Sequence, residues 1–359
     1  MELAAAMVRG GAEVDMLCPW SPSLPRRPFI HRGVNCMPHF FATNVLLALP
    51  DAWLPSAVAH SLEAGTFGLD RRLRRARGYE VVQFELSAYP RWMERLRAWA
   101  PVPRLVYAAH NVEQDLFRGR SGPSGLRRPM LGRVAQLERR TVAASDLVVT
   151  CTEDDARRMG ELYGSPRISA VVPNGFDEGL ARARRDSARQ AARDELGFRP
   201  QDTVLIFIGG RAHHNQQAVE LLERRVLPEL GSSARLLVVG KVADASTAWS
   251  ASRGPVIRLG HVEDLALPLA AADVGVNPVT YGSGSNLKLG DYLAAGLPVV
   301  STMVGARGYE RSVRLAEPGE FASEVRAALA EGARGEIDPN LSWSALGRRL
   351  LGLYERLDG

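Results

Sequence analysis

The chain has 359 residues, 46% of them hydrophobic, and a net charge of +5. That composition excludes a disordered polymer, and the length exceeds the size at which one core stops growing, so two domains are expected. The longest apolar stretch, "FFATNVLLALPDAWL", is interrupted by Pro50 and Asp51 and falls short of the roughly 20 residues that a membrane-spanning helix needs, and the start of the sequence does not read as a basic, apolar, small-residue leader of the secretory kind.

The first segment, "ELAAAMVRGGAEVDMLCP", reads as a helix, a glycine stop and a strand. Cys18, Cys36 and Cys151 are odd in number and widely spaced, which reads as three reduced thiols in a cytoplasmic protein with no metal knuckle. Two arginine runs follow, Arg71, Arg72, Arg74, Arg75 and Arg77, then Arg127, Arg128, Arg133, Arg139 and Arg140. Solvated surface is the first reading of both, and peripheral contact with an anionic membrane at its inner face is the second. "YEVVQFE", "RLVYAAH" and "DLVVTCT" are short buried strands, each followed by a loop or helix, the α/β pattern of a parallel sheet covered on both faces. His110 follows the second of these strands, with Asn111 and Glu113 just beyond. A histidine at a carboxyl edge can hydrogen-bond a substrate hydroxyl or move a proton; Asn111 also reads as a structural cap. His110 and Glu113 have the spacing of half a metal site, but no third ligand is evident and no metal is expected.

A turn and a charged helical stretch, "VVPNGFDEGLARARRDSARQAARDELGFRPQ", place a boundary near residues 175–200 and give an N-terminal domain over 1–180 and a C-terminal one over 200–340. The pattern restarts from Asp202 with "TVLIFIGG", "ARLLVVGK", "PVIRLGH", "DVGVNP" and "LPVVST". Two doubly wound units in tandem predict a cleft between two carboxyl edges. His213 and His214 are adjacent and point apart, which makes them poor co-ligands.

The segment "YGSGSNLKLGDYLAAGLPVVST" places a loop of small residues, Gly282 to Asn286, between a strand and a helix predicted from Leu287 to Ala295, with Gly296 as its stop. Free N–H groups and the positive end of the helix dipole suit such a loop to a phosphate. Lys288 lies in the first turn, where a cation is unfavourable unless something negative is beside it. Asp291, three residues on, shares its face and reaches a sugar hydroxyl. Of 45 basic residues only Lys241 and Lys288 are lysine, which hints that a compact ammonium is wanted. An ordinary turn with a solvated lysine is the competing reading.

"HNVEQDL", "DLVVTCTEDD", "VVPNGFD" and "GSGSNLKLGDYLAAGLPVVSTMVGARG" occur in the order and spacing of the retaining GT-B glycosyltransferases of family four, and the chain resembles them from Glu2 to Leu357. The resemblance implies two Rossmann-like domains facing across a cleft, the C-terminal one holding a nucleotide sugar and the N-terminal one, with Asn111 and Glu113, meeting the acceptor. It also implies a metal-independent reaction that retains anomeric configuration, with no cofactor. The final segment, 342–359, would cross back to pack on the first domain. Asp291 corresponds to the family's ribose-binding acid, usually glutamate, and Ser283 falls where an acid holds the donor sugar. Gly282, Ser283, Gly284, Ser285 and Asn286 would surround the diphosphate and sugar. Arg211, with His214 as a second candidate, and Lys288 would neutralise the leaving diphosphate, and His110 resembles the histidine that contacts the donor sugar. The family has a strand and a Gly-rich loop ahead of its first helix, whereas this chain starts inside that helix; a first domain lacking its first strand, or a start further upstream, is expected. The expected activity is sugar transfer from a nucleotide donor to a glycan, lipid-linked or small-molecule acceptor in polysaccharide or glycoconjugate synthesis, with no nucleic-acid partner. A non-catalytic nucleotide-sugar-binding or partner protein, or a nucleotide-sugar epimerase, is the alternative on the same fold.

Overall fold

A computed structural model describes residues 1–19, 24–39, 58, 78–98, 101–118, 124–164, 168–243, 254–281 and 286–357. The apolar stretch of residues 40–54, the first arginine run and the loop residues Gly282, Ser283, Gly284 and Ser285 lie outside them. The chain divides into two compact units, Met1–Pro173 with Ser344–Gly359, and Asn174–Trp343.

The first unit opens with helix α1 (Glu2–Arg9) and strand β1 (Asp15–Pro19). A hairpin of β2 (Phe29–His31) and β3 (Val34–His39) follows. Arg32 at φ 52 and Gly33 at φ 82 make its tight turn, the left-handed pair that a two-residue hairpin loop requires. β1 runs parallel to β3 and β2 antiparallel to it. A second sheet contains β4 (Val81–Phe84), β5 (Arg104–Ala109), β6 (Leu147–Thr150) and β7 (Ser169–Val171), parallel and side by side in that order. Among the described residues no strand ladder joins β1 to β4; the Tyr79 hydroxyl donates to the Asp15 carboxylate between them. Helices α2 (Pro90–Arg97), α3 (Glu113–Arg118), α4 (Ser124–Ala144) and α5 (Glu153–Tyr163) fill the crossovers. Along β5, Leu105 packs with Trp92, Met93 and Leu96, and Tyr107, further toward the carboxyl end, with Val142 and Met159. Of the second arginine run, Arg140 pairs with Glu94 at 2.7 Å and Arg139 lies over the Tyr163 ring, so part of that charge is spent within the unit.

Among the described residues, the second unit is built on an all-parallel sheet of six strands. β8 (Thr203–Ile208), β9 (Ala234–Val239), β10 (Val256–Leu259), β11 (Val274–Asn277), β12 (Val299–Ser301) and β13 (Arg314–Leu315) stand in the order β10-β9-β8-β11-β12-β13. Strand side chains alternate between faces. Val204 and Ile206 accordingly join one buried cluster, and Leu205 and Phe207 the other. Both faces are apolar, which is why these strands read in sequence as unbroken hydrophobic runs. The segment from Asn174 to Pro200 belongs to this unit: Phe176, Leu180, Ala183, Ala192 and Phe198 join its core. Helix α6 (Asp186–Leu196) is clamped to the sheet by Asp273, which accepts from Arg189 and Arg193 at 2.6 Å each and from the Val204 amide at 2.8 Å.

Helices α7 (His213–Leu221), α8 (Leu287–Ala294) and α9 (Phe321–Glu331) flank the sheet. On α8, Leu289, Tyr292 and Leu293 are fully buried, at the helical spacing expected. Gly296 takes φ 76 just past its end, the left-handed stop that glycine allows. The Tyr292 side chain packs directly against Gly275 of β11, and its hydroxyl accepts from the Ile208 amide at 2.8 Å. This ring sets the height of α8 above the sheet.

The last helix, α10 (Trp343–Glu355), packs in the first unit. Gly347 lies against Ala6, and the Leu351 side chain against Gly10, on α1 and its cap. Leu346, Leu350 and Tyr354 are buried. In the second unit, the Phe176 amide donates to the Leu341 carbonyl and the Trp343 amide to the Phe176 carbonyl, at 3.2 Å each, so the entering and leaving segments are bonded to one another. Among the described residues no helix is long and apolar enough to cross a membrane.

A methyl group at Gly275 would lie 2.4 Å from the Tyr292 ring. Gly275→Ala is therefore expected to destabilise the second unit by about 1–3 kcal/mol through overpacking, read as a lower urea midpoint, and Tyr292→Leu in the same chain should recover part of the loss.

Candidate functional site

In the second unit the chemistry gathers at the carboxyl edge of the sheet. Lys288, in the first turn of α8, turns its ammonium inward. Its Nζ donates to Asn215 Oδ1 at 3.1 Å and to Asn277 Oδ1 at 3.3 Å, and lies 4.1 Å from the centre of the Phe207 ring. The two amides cannot turn round. Asn277 gives its NH₂ to the Gly305 carbonyl at 3.0 Å and Asn215 gives its own to the Gly210 carbonyl at 3.1 Å, so each must present oxygen to the lysine. The Gly305 carbonyl also accepts from Asn286 at 2.8 Å, the residue that begins α8. Burial pushes the Lys288 ammonium down to about 7. The oxygens and the ring face favour the cation and desolvation opposes it; an anion arriving at this edge would tip the balance toward the protonated form.

The solvated lysine of the competing sequence reading is therefore not what is found. Asp291 stands one turn along α8, partly exposed and engaged in contacts of its own. Arg211 is exposed in the loop after β8, its carbonyl accepting from Gln216 at 3.2 Å. His213 Nδ1 meets the Tyr281 hydroxyl at 2.8 Å, and His214 stands edge-on to the same ring. The adjacent histidines thus hold the residue that precedes the glycine loop. Burial, then the charges of Lys288 and His213, keep His214 below the ordinary imidazole value.

In the first unit, three neighbouring strands end in a row of polar side chains. Glu85 follows β4, His110 follows β5 and Cys151 follows β6. His110 Nε2 lies 2.6 Å from Glu85 Oε2. Hydrogen bonds with Cys151 and with Glu85, and the Glu85 charge, raise the His110 imidazole to about 10 against the effect of burial. Burial pushes Glu85 upward, but the hydrogen bond and charge of His110 outweigh it and leave the carboxyl below its usual value. His110 thus pairs with Glu85, which sequence reasoning passed over.

Asn111 and Glu113 occupy the turn into α3. The carboxylate that organises this turn is Glu138, fully buried on α4. It accepts from the amides of Glu113 at 2.9 Å and Gln114 at 3.2 Å, and from the hydroxyls of Tyr163 at 2.7 Å and Tyr107 at 3.4 Å. It caps α3 from another helix and fixes the loop that starts at His110. Burial still leaves its carboxyl above the ordinary value despite these donors. Among the described residues no group of three or more His, Cys, Asp and Glu side chains is placed to hold a metal ion, and Cys18, Cys36 and Cys151 form no disulfide.

Residues 1–180 match the family model described as Glycosyltransferase Family 4, and residues 202–331 the one described as Glycosyl transferases group 1. A relative from Geodermatophilus obscurus, named D-inositol 3-phosphate glycosyltransferase, is 33% identical over 283 residues, 70% of this chain and 60% of the relative. The chain thus spans less than two thirds of that relative's length. A sucrose-phosphate synthase structure from Thermosynechococcus elongatus superposes with a TM-score of 0.72 at 17% identity, over 99% of this chain and 92% of that one. An Anabaena protein solved with UDP and glucose gives 0.60 at 14% identity, over 90% and 87%. At these identities the structures speak for the fold, two Rossmann-like α/β units of the GT-B kind.

Lys288 and His110 give opposite pH slopes. A lysine depressed from 10.5 to about 7 binds fewer protons folded than unfolded across that window, so stability rises with pH there; a histidine raised from 6.5 to about 10 binds more, so stability falls. Lys288→Met should therefore gain stability over the parent at and below pH 7 and lose that advantage toward pH 10. His110→Asn should lose stability below pH 6.5 and regain it toward pH 10. Urea titrations at a series of pH values check both signs.

Proposed function

The chain belongs to glycosyltransferase family 4, and on that premise we propose that it transfers a sugar from a nucleoside-diphosphate donor to a small phosphorylated polyol or sugar acceptor, with retention and without a metal, as a cytoplasmic enzyme. The observation that supports this most is the Lys288 ammonium, held by Asn215, Asn277 and Phe207 at the start of α8. An enclosed cation beside a helix N-terminus suits a diphosphate, whose charge grows as the glycosidic bond breaks. The proton on Lys288 then neutralises the leaving group in place of a metal ion. Asp291 accepts from the ribose hydroxyls, and the amides of Gly284, Ser285 and Asn286 meet the diphosphate or sugar, with Gly282 and Ser283 beside them. Arg211 adds charge from the loop after β8, and His110, Asn111 and Glu113 present the first unit's edge to the substrates.

The phosphorylated acceptor is supported by the names of the Geodermatophilus relative and the Thermosynechococcus structure, and the UDP in the Anabaena structure makes uridine the first donor base to try. The serine at position 283, where the family has an acid, favours a second reading, a nucleotide-sugar-binding protein without transfer.

The test is thermal denaturation with UDP, GDP, ADP and their sugars, then transfer of labelled sugar to inositol and hexose phosphates. A ligand at 100 times its Kd adds about 2.7 kcal/mol of stability, an unmistakable shift. Asp291→Ala should weaken nucleotide binding by roughly 10- to 100-fold, the worth of a hydrogen bond to a charged group. Lys288→Ala should lower kcat more than it raises KM. EDTA should leave the rate unchanged. Binding without transfer to any acceptor would leave the second reading standing.

A further inference from the structure

The His110–Glu85 pair continues into the interior of the first unit. Glu85 Oε1 accepts from Gln83 Nε2 at 2.5 Å, and the Gln83 Oε1 accepts from the Tyr354 hydroxyl. The donors and acceptors in this row leave one arrangement. An ionised Glu85 can only accept, so Gln83 must turn its NH₂ toward it; the Gln83 oxygen then faces Tyr354, whose hydroxyl must donate. Tyr354 is 8% exposed, on the face of α10 that packs in this unit. Its phenol is pushed up by burial and by the Glu85 charge, which keeps the donor proton in place.

We propose that Tyr354, Gln83 and Glu85 are positioning residues that act through one another to hold His110 as an oriented imidazolium for the transfer reaction, so that the last helix of the chain sets the charge and direction of a substrate-facing group. The inference rests on the reading of His110 as substrate-facing. The geometry selects these residues because the row is continuous from a buried hydroxyl to the sheet edge. Gln83 and Glu85 are two apart on one strand and its end, and so project to the same side. Among the described residues, Glu85, from the end of β4, and Cys151, from the end of β6, are ionisable groups that face His110. Glu85 in turn feels the amino group of Met1 and the Tyr354 phenol. The row changes what His110 can do: an imidazolium offers only donors, to a phosphate or hydroxyl oxygen, whereas a neutral ring could act as a base.

The experiment follows the His110 ring protons by NMR in the full chain, assigned by their loss in His110→Asn, together with the pH dependence of transfer at saturating donor. In the parent His110 should titrate above pH 8. Glu85→Gln should lower that midpoint by about two pH units, since it removes the nearest charge, and Tyr354→Phe, which deletes one hydroxyl and keeps the ring packed, by about half a unit. The alkaline limb of kcat should move with each midpoint, with KM for the donor within twofold of the parent. A His110 midpoint unmoved by Tyr354→Phe overturns the proposal even if the melting temperature falls, because the hydroxyl then serves packing alone. Midpoints that move while the kcat profile does not would leave the row intact and overturn its role in the reaction. No transfer in the parent with any donor and acceptor, beside midpoints that move, would instead defeat the proposed activity.

Discussion

A parallel sheet buried on both faces leaves its chain one place to put polar chemistry, the loops beyond the carboxyl ends of the strands. Every crossover returns to the opposite edge, so those ends all lie on one side, and helices cover both faces. In the first unit this brings Glu85, His110 and Cys151 into one row from three strands far apart in sequence. In the second it brings Phe207, Asn277 and Lys288 together from β8, β11 and α8, with Asn215 added from α7. Neither group needed an irregular backbone.

The buried ionisable groups show how the polar side of this arrangement is kept. Glu138 and Asp273 are enclosed or nearly so and draw in several donors each, backbone amides included. Such a carboxylate is strongly destabilising if one partner is removed. Both fasten a helix to its surroundings, and neither stands at a strand end in its sheet's carboxyl-edge row. Lys288 differs: among the described residues its partners are two neutral amides and a ring. A cation held only by neutral groups keeps its charge available for a ligand.

How far the sequence foretold this follows from where the deciding contacts come from. Strands such as "TVLIFI" were legible because two-sided burial forbids polar residues in them. Tyr292 and Leu293 were legible from helical spacing, and Lys288 from its rarity and its place at a helix start. Its partners were not: Asn215 is 73 residues away and Asn277 is 11, and only the strand order brings them together. Glu85 carried a signal, since it directly follows a strand as His110 does, but a single carboxylate there reads equally as solvated surface. Glu138 carried none. It sits in "QLERR", a charged helical stretch, and its burial is decided by the α3 turn that packs over it.

The first unit takes its last helix from the far end of the chain, and this has a consequence for synthesis. Residues 174–343 leave the ribosome as a complete unit while the first is still short of α10, with Ala6 and the cap at Gly10 uncovered. The earlier-made half therefore matures later than the half made after it. Until Tyr354 arrives, Gln83 has no donor to orient it, and the edge that carries His110 waits on the closing residues. A nascent chain stalled late would hold a folded second unit tethered to an unfinished first one, a species for chaperones to recognise by its exposed α1.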